Sequence, residues 1–398
     1  MRTQFLPYCL PLIGEEEINE VIDSMRSGWV TTGPKVKRFE EDFAAYTGAR
    51  HAIAVNSCTA ALHLALAASG VGPGDEVIVP TLTFCATANV VVHLGARPVL
   101  VDVDENGLLD VDRAERAITK STKAIVPVHF AGQSCELSSL QGVAQRRGVT
   151  IIEDAAHAIG ATYAGRRIGT HGLATAFSFY ATKNMTTGEG GMITTSDEKM
   201  AALMRRLALH GMSKDAWKRY SETGSWYYEV LEPGYKDNMT DMQAAMGLHQ
   251  LRKLEGFVGR RREIAAQYDR AFRALEELDL PRELRGRKHV YHLYPVRLRT
   301  HSRSEFIERM REMGIGTSVH FIPLHRHPYY RDAFGYKPEQ FPVAEELYRG
   351  FVSLPLYPRM TDQDVEDVVD AVRWALAHGT AYPQASANEM YRDKEAVR

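Results

Sequence analysis

One lysine in this chain keeps unusual company. Lys183 sits in FSFYATKNMTTGEGG (177–191), after an aromatic, strand-like run and before Gly188, Gly190 and Gly191. Most lysines are solvated, so the ordinary reading is a surface ammonium at a strand end. Two features oppose it. Phe177, Phe179 and Tyr180 are aromatic neighbours, and glycines let backbone approach something planar or bulky. An amine held in apolar surroundings loses its proton near neutral pH and becomes a nucleophile toward a carbonyl.

Two further stretches carry candidate groups. In IIEDAAHAIG, Glu153 and Asp154 close a very apolar run, and His157 follows three residues after Asp154. A carboxylate there can be a helix cap or meet a surface cation. At a turn, Asp154 and His157 can also face one object. In VNSCTAALHLAL, Asn56, Ser57, Cys58 and Thr59 open a helix of small residues. Its first N–H groups lack internal partners and form a ready phosphate site. Plain N-capping by Asn56 or Ser57 is the competing reading.

Taken together, these pieces match one device. An aldehyde cofactor with a phosphate and a ring nitrogen needs four supports: a lysine, a carboxylate for the nitrogen, a phosphate cradle and a flat side chain. Pyridoxal 5'-phosphate is such a cofactor, and Lys plus Asp is its signature. Lys183 and Asp154 supply the first two, Ser57–Thr59 with Ser178 the third, and Phe84, after EVIVPTLT, the fourth.

The elements that must position them alternate between β and α. Strand-like runs fall at 52–55, 76–80, 97–104, 124–130, 149–156, 174–180 and 190–195. Several are continuously apolar, as strands covered on both faces are. Helical stretches such as TAALHLALAAS, FCATANVVVHLG and LSSLQGVAQRRG lie between them. The pattern predicts an α/β fold with a mostly parallel sheet flanked by helices, with ligands at the strand C-termini. A capped helix is expected over 196–211, an irregular aromatic loop over 212–238, and a long helix from Thr240 to about Leu275. Strands at 289–298 and 317–321 and helices at 303–314 and 361–377 predict a smaller C-terminal α+β domain. The expected division is 1–250 for the large domain, 251–379 for the small one and 380–398 for a mobile tail.

Composition removes several function classes. The chain of 398 residues is 44% hydrophobic, with 48 Lys plus Arg against 50 Asp plus Glu. No basic excess draws it to nucleic acid or an anionic membrane. No apolar run approaches the roughly 20 residues of a membrane helix, and the start does not read as a signal peptide. Cys9, Cys58, Cys85 and Cys135 are scattered without a CxxC pair, as expected of free thiols in a reducing cytoplasm. Three histidines in HFIPLHRHP raise the idea of zinc, but with no nearby cysteine or patterned carboxylate no metal site is expected.

Across nearly its whole length the sequence resembles the sugar aminotransferases of the DegT/DnrJ/EryC1/StrS family. The motifs that carry the resemblance run in order: GWVTTGPKVKRFEEDF, GDEVIVPTLTF, IIEDAAHAIGATYAGRRIG, FSFYATKNMTTGEGGMITT, GYKDNMTDMQAAMGLHQL, GTSVHFIPLH and SLPLYPRMT. The resemblance implies a fold-type I pyridoxal phosphate architecture and a homodimer with shared active sites. Lys183 matches the lysine that holds the cofactor, and Asp154 the carboxylate at its ring nitrogen. His157 stands where most members carry glutamine and some histidine, against the 3-oxygen. Phe84 matches the stacking aromatic. Cys58, Thr59 and Ser178 match phosphate contacts, with Cys58 acting through its backbone N–H. Asn238 matches an asparagine that reaches the partner subunit's cofactor phosphate.

The resemblance also implies L-glutamate as donor, leaving as 2-oxoglutarate, and a nucleotide-diphosphate keto sugar as acceptor. HGM…DAWKRY, GYKDNMTD and VHFIPLH are similar to members that aminate C4 of a 4-keto (6-deoxy) sugar. The segments 28–34 and 319–330 resemble those lining the sugar nucleotide, so Thr31, His320, His325 and Arg326 are the expected substrate contacts. Alternatives are amination at C3 and a dehydratase of the same fold. Relatives that dehydrate carry histidine in place of the lysine, and here the lysine is present. A binding module fused to a DNA-reading head is the third alternative, but no basic helix-turn-helix precedes residue 12.

Overall fold

In the computed structural model, residues 2, 4–213 and 227–379 are described. The expected tail 380–398 and residues 214–226 of the aromatic loop lie outside them.

The strands are β1 (His51–Val55), β2 (Glu76–Pro80), β3 (Arg97–Val101), β4 (Thr122–Ile125), β5 (Thr150–Asp154), β6 (Thr162–Tyr163), β7 (Arg166–Arg167), β8 (Ala174–Ser178), β9 (Gly191–Thr195), β10 (Leu278–Asp279), β11 (Arg287–Lys288), β12 (Tyr294–Leu298) and β13 (Phe351–Leu354). Seven of them form the main sheet in the order β1-β9-β8-β5-β4-β2-β3. All are parallel except β9, which runs antiparallel between β1 and β8. The C-terminal ends of β1, β2, β5 and β8 therefore share one edge with the start of β9. Two small sheets, β10-β12-β13 and β11-β6-β7, complete the set.

Both faces of the main sheet are covered, and the strands show it residue by residue. Ile53, Val55, Ala176 and Ile193 enter the core under α3 (Cys58–Ala68) and α4 (Ala86–His93). Their neighbours Ala52, Ala54, Phe177 and Met192 enter a second core under α2 (Pro34–Thr47). Successive strand residues point to opposite faces, so an unbroken apolar run is what a double-covered strand requires. Helices α1 (Glu15–Ser27), α5 (Val111–Ala117), α6 (Leu137–Arg147) and α7 (Glu198–Leu207) complete the layers. Among the described residues no helix is long and apolar enough to cross a membrane.

Helix α8 (Asp241–Phe272) begins where the sequence predicts, because Thr240 and Gln243 cap it reciprocally. Its first half sends Ala244, Leu248, Leu251, Leu254 and Val258 into the core with α2. Its second half sends Ile264, Ala265, Tyr268 and Phe272 into a third core, shared with β12, β13, α9 (Arg303–Glu312) and α12 (Asp362–Ala377). The expected boundary after residue 250 thus falls inside one continuous helix. The C-terminal part also returns to the main sheet. Leu324, Tyr330, Phe341, Ala344 and Leu347, around α10 (Pro328–Phe334) and α11 (Pro342–Gly350), belong to its core. Asp102, just past β3, accepts from the first N–H groups of α11. The expected strand at 317–321 is not formed; one bridge between Ser318 and Ser353 marks it.

Candidate active site

The shared strand edge gathers the candidate residues. Asp154 ends β5, buried, and its carboxylate accepts from Thr87 Oγ1 at 2.9 Å and from the Ala156 N–H at 3.1 Å. It makes no ion pair among the described residues. Burial raises its pKa, and the Ala156 N–H, Thr87 and the Lys183 charge offset this only in part. A buried carboxyl so supplied still favours a cation beside it.

Lys183 enters from the loop after β8. That loop closes on itself: the Thr187 N–H and Thr186 Oγ1 both donate to the Phe179 carbonyl at 3.0 Å. Gln250 of α8 accepts from the Thr186 N–H. The ammonium of Lys183 donates to no acceptor among the described residues. Burial pushes its pKa down to about 8, while Cys58, Asp154 and Cys9 pull it back up. The aromatic neighbours are not the cause. Phe177 and Phe179 point to the opposite face, where they meet Phe39 and Phe43.

The Lys183 charge also reaches His157 and His320. His157 is buried and held far below its ordinary pKa, first by burial and then by that charge. The same two causes push His320 down to about 4, and its Nδ1 is 3.0 Å from Ser353 Oγ. Phe321 lies 5.8 Å from His157 and 5.9 Å from Phe84, ring centre to ring centre. Phe84 is 58% exposed, a large flat ring left open beside buried polar groups.

At the β1 end, Ser57 caps α3 by accepting from the Ala60 N–H. The N–H groups of Cys58 and Thr59 have no partner among the described residues. Gly191 makes this geometry possible. In register it sits between Val55 and Ser178, and a Cβ there would lie 2.5 Å from the Ser57 carbonyl oxygen and 2.7 Å from Cys58 N. Only glycine lets β9 pass beneath the helix N-terminus, which leaves Ser178 and the open N–H groups on one edge.

Over this architecture, residues 11–373 match the model of the DegT/DnrJ/EryC1/StrS aminotransferase family. The chain belongs to that family. The spore coat polysaccharide biosynthesis protein SpsC of Bacillus subtilis is 57% identical over 378 residues, 94% of this chain and 97% of the relative. The putative sugar aminotransferase Spr1654 of Streptococcus pneumoniae superposes in its PMP form with a TM-score of 0.88 at 37% identity, covering 93% of this chain and 98% of that one. Its PLP form gives 0.87 at 36% identity, with the same coverage. Helicobacter pylori PseC, an aminotransferase of pseudoaminic acid biosynthesis, gives 0.87 at 29%, covering 94% and 100%.

Not every residue expected in this aminotransferase's site is free to serve there. His325 is buried with both ring nitrogens engaged, to Thr81 Oγ1 at 2.6 Å and Glu345 Oε1 at 2.7 Å. The Arg326 guanidinium pairs with the same carboxylate. These two residues tie the 324–326 turn to the main sheet and α11, so a diphosphate contact would compete with these protein partners. Asn238 and Thr31 lie together at the start of α8. Asn238 Nδ2 donates to Thr32 Oγ1 at 2.7 Å, and the Thr31 carbonyl accepts from the Asp241 N–H. Asn238 also bridges Val55, which puts it beside the α3 N-terminus.

Sequence reasoning missed Thr87, Asn184, His292 and Arg261. His292 Nδ1 is 3.2 Å from Asn184 Oδ1, and its ring centre is 4.4 Å from that of His157. Arg261 is fully buried on α8 and donates to the carbonyls of Tyr291, His292 and Leu356. Asn184 follows Lys183 directly, a signal that was available. His292 is more than a hundred residues away and carried none. Among the described residues no group of His, Cys, Asp and Glu could hold a metal ion.

Proposed function

We propose that this enzyme transfers the amino group of L-glutamate to C4 of a nucleotide-diphosphate 4-keto (6-deoxy) sugar. Pyridoxal phosphate is the cofactor, and the residues present fit it. A buried amine of lowered pKa acts on a buried carboxyl that makes no ion pair among the described residues, and a glycine-floored helix N-terminus stands at a strand end of the same sheet edge. The nearness of the Lys183 charge to Asp154, with neither group ion-paired among the described residues, is the observation that carries the reading.

In this reading Lys183 holds the cofactor, and its amine then carries a proton to and from the donor's α-carbon. Its lowered pKa gives it a larger neutral fraction near pH 7 than a solvated lysine has, as a base needs. Asp154 keeps the ring nitrogen protonated. When bound, the cofactor supplies the electron sink for the deprotonated α-carbon. The N–H groups of Cys58 and Thr59 with the Ser178 hydroxyl bind the phosphate, and Phe84 covers the ring. His157 meets the ring oxygen. His320 and Thr31 border the sugar nucleotide.

The choice of C4 rests on the motifs HGM…DAWKRY, GYKDNMTD and VHFIPLH, of which residues 215–220 lie outside the described structure, and the choice of glutamate rests on the family resemblance. We also propose a homodimer in which Asn238 serves the partner's phosphate site, and a cytoplasmic location, in keeping with four free cysteines.

Incubation with L-glutamate and a panel of keto-sugar nucleotides, read by mass spectrometry, tests the reaction. A 4-amino product is expected; amination only at C3, or dehydration, overturns it. Borohydride reduction must fix the cofactor to the peptide holding Lys183. Mixed Asn238→Ala and Lys183→Ala chains should regain activity through one intact site, and a verified heterodimer without rescue removes Asn238 from the interface.

A further inference from the structure

His157 has been given a partner outside the protein, but its own orientation needs a cause. Its Nδ1 is closed off from solvent and has no hydrogen-bond partner among the described residues. Only Nε2 is then left to meet a bound group. An imidazole contacting a ligand through one nitrogen is normally oriented through the other. Here that second hydrogen bond is missing, so packing must do the work.

The packing partner is His292. Its ring lies 4.4 Å from that of His157, tilted by 40°. His292 is itself held at two points. Nδ1 meets Asn184 Oδ1 at 3.2 Å, and the main-chain carbonyl accepts from Arg261 at 3.2 Å. The amide oxygen can only accept, so the His292 proton is on Nδ1. Asn184 in turn is the residue after Lys183, and its Nδ2 is buried without a partner among the described residues. A native fold keeps few such buried orphans, and each asks for a reason. The three residues link the cofactor-side imidazole, the lysine loop and the α8 seam.

We propose that His292, held by Asn184, is a positioning residue that fixes the His157 ring so that Nε2 faces the bound cofactor. The pair touches no substrate; it acts through His157. Burial, joined by the charges of His157, Lys183, Arg261 and His320, keeps His292 far below its ordinary pKa. A neutral His292 beside a neutral His157 is what close ring contact requires. The other titratable groups around the lysine are Asp154, Cys58 and Cys9.

The inference rests on the pyridoxal phosphate reading. His292→Phe keeps ring volume and loses the Nδ1–H; Asn184→Ala removes the acceptor. In the holoenzyme each should weaken cofactor affinity by about 3–10-fold and shift the pH at which the bound-cofactor absorbance titrates. The fall in kcat should exceed the rise in KM, with the melting temperature of Asn184→Ala close to that of the unaltered protein. Both effects should vanish in a His157→Ala background, because the pair acts through that ring. An undiminished effect of Asn184→Ala in that background overturns the proposal, as does an unmoved absorbance titration. If His292→Phe does not fold, Asn184→Ala alone decides. Failure of the cofactor reading itself looks different: the unaltered protein then shows no cofactor absorbance.

Discussion

Glu153 and Asp154 are adjacent on β5, and both are buried, but they face opposite sides of the sheet. Glu153 accepts from the Gly172 N–H at 2.6 Å and Thr175 Oγ1 at 2.9 Å, and its other oxygen is 2.8 Å from His129 Nε2. His129 Nδ1 accepts from the Cys135 N–H, so the proton is on Nε2 and points at Glu153. Burial opposes its charge, but His129, Gly172 and Thr175 hold Glu153 below the usual carboxylate range. Among the described residues Asp154 has only Thr87 and one N–H, and its pKa is raised. Of two buried carboxyls, the fully partnered one is architecture and the under-partnered one awaits a ligand. The same contrast separates Lys183 from the His325–Arg326–Glu345 cluster, where every group has a protein partner.

The largest break in this comparison comes at the lysine. Lys183→Ala should lower turnover at least about a thousand-fold and abolish covalent retention of the cofactor. The cofactor-free variant should melt no lower than the parent, since a buried, unpaired ammonium has been removed. A variant that retains turnover, or melts well below the parent, breaks the contrast at once.

The two carboxyls come next. Asp154→Asn should reduce kcat by about a hundred-fold or more with little change in melting temperature. Glu153→Gln should lower the melting temperature yet leave the kcat of folded protein within about threefold. Exchanged outcomes would mean that partner counting assigns these roles wrongly.

Glu345 tests the satisfied cluster. Burial opposes its ionisation, yet Arg326 and His325 hold its pKa at about 2. A depressed carboxylate adds stability that is fully present above its unfolded pKa of roughly 4.3 and is lost as pH falls toward 2. Glu345→Gln should destabilise the chain by about 1–3 kcal/mol and flatten its acid unfolding between about pH 4 and 2. Denaturant melts across that range check this, with kcat of the folded fraction as the control.

The smallest expected effect concerns pH at the lysine. With its pKa lowered to about 8, the cofactor-free chain should capture pyridoxal phosphate faster as pH rises, levelling off above 8. Between about 8 and the unfolded value near 10.4 the unfolded chain binds more protons, so stability rises with pH. Lys183→Met should remove both trends. A capture rate that is flat from pH 6.5 to 9 would show that burial does not lower this amine.

Much of the site was legible in local chemistry. Lys183, Asp154, Ser178 and the α3 N-terminus follow runs whose apolar pattern marks them as covered strands, and a parallel sheet brings such strand ends to one edge. Helix α8 was legible for a similar reason, since Thr240 and Gln243 cap it within four residues. Less was legible where partners are distant. His325 and Arg326 read as diphosphate contacts in a loop, because Glu345 lies about twenty residues on and Thr81 over two hundred back. The residue-250 boundary falls inside α8, which the sequence already reads as one helix from Thr240 to about Leu275, since a continuous helix gives no local break.

By itself, then, the sequence determined the types of group available, the covered strands that carry them and the family they belong to. These depend on period, capping and short motifs, which neighbouring residues encode. Only the tertiary structure decided which buried groups are satisfied. It paired Glu153 with His129, Glu345 with His325 and Arg326, and His292 with Asn184, and it left Lys183 and Asp154 without equivalent partners. Desolvation and hydrogen bonding act through space, and the residues that supply them here are far apart along the chain.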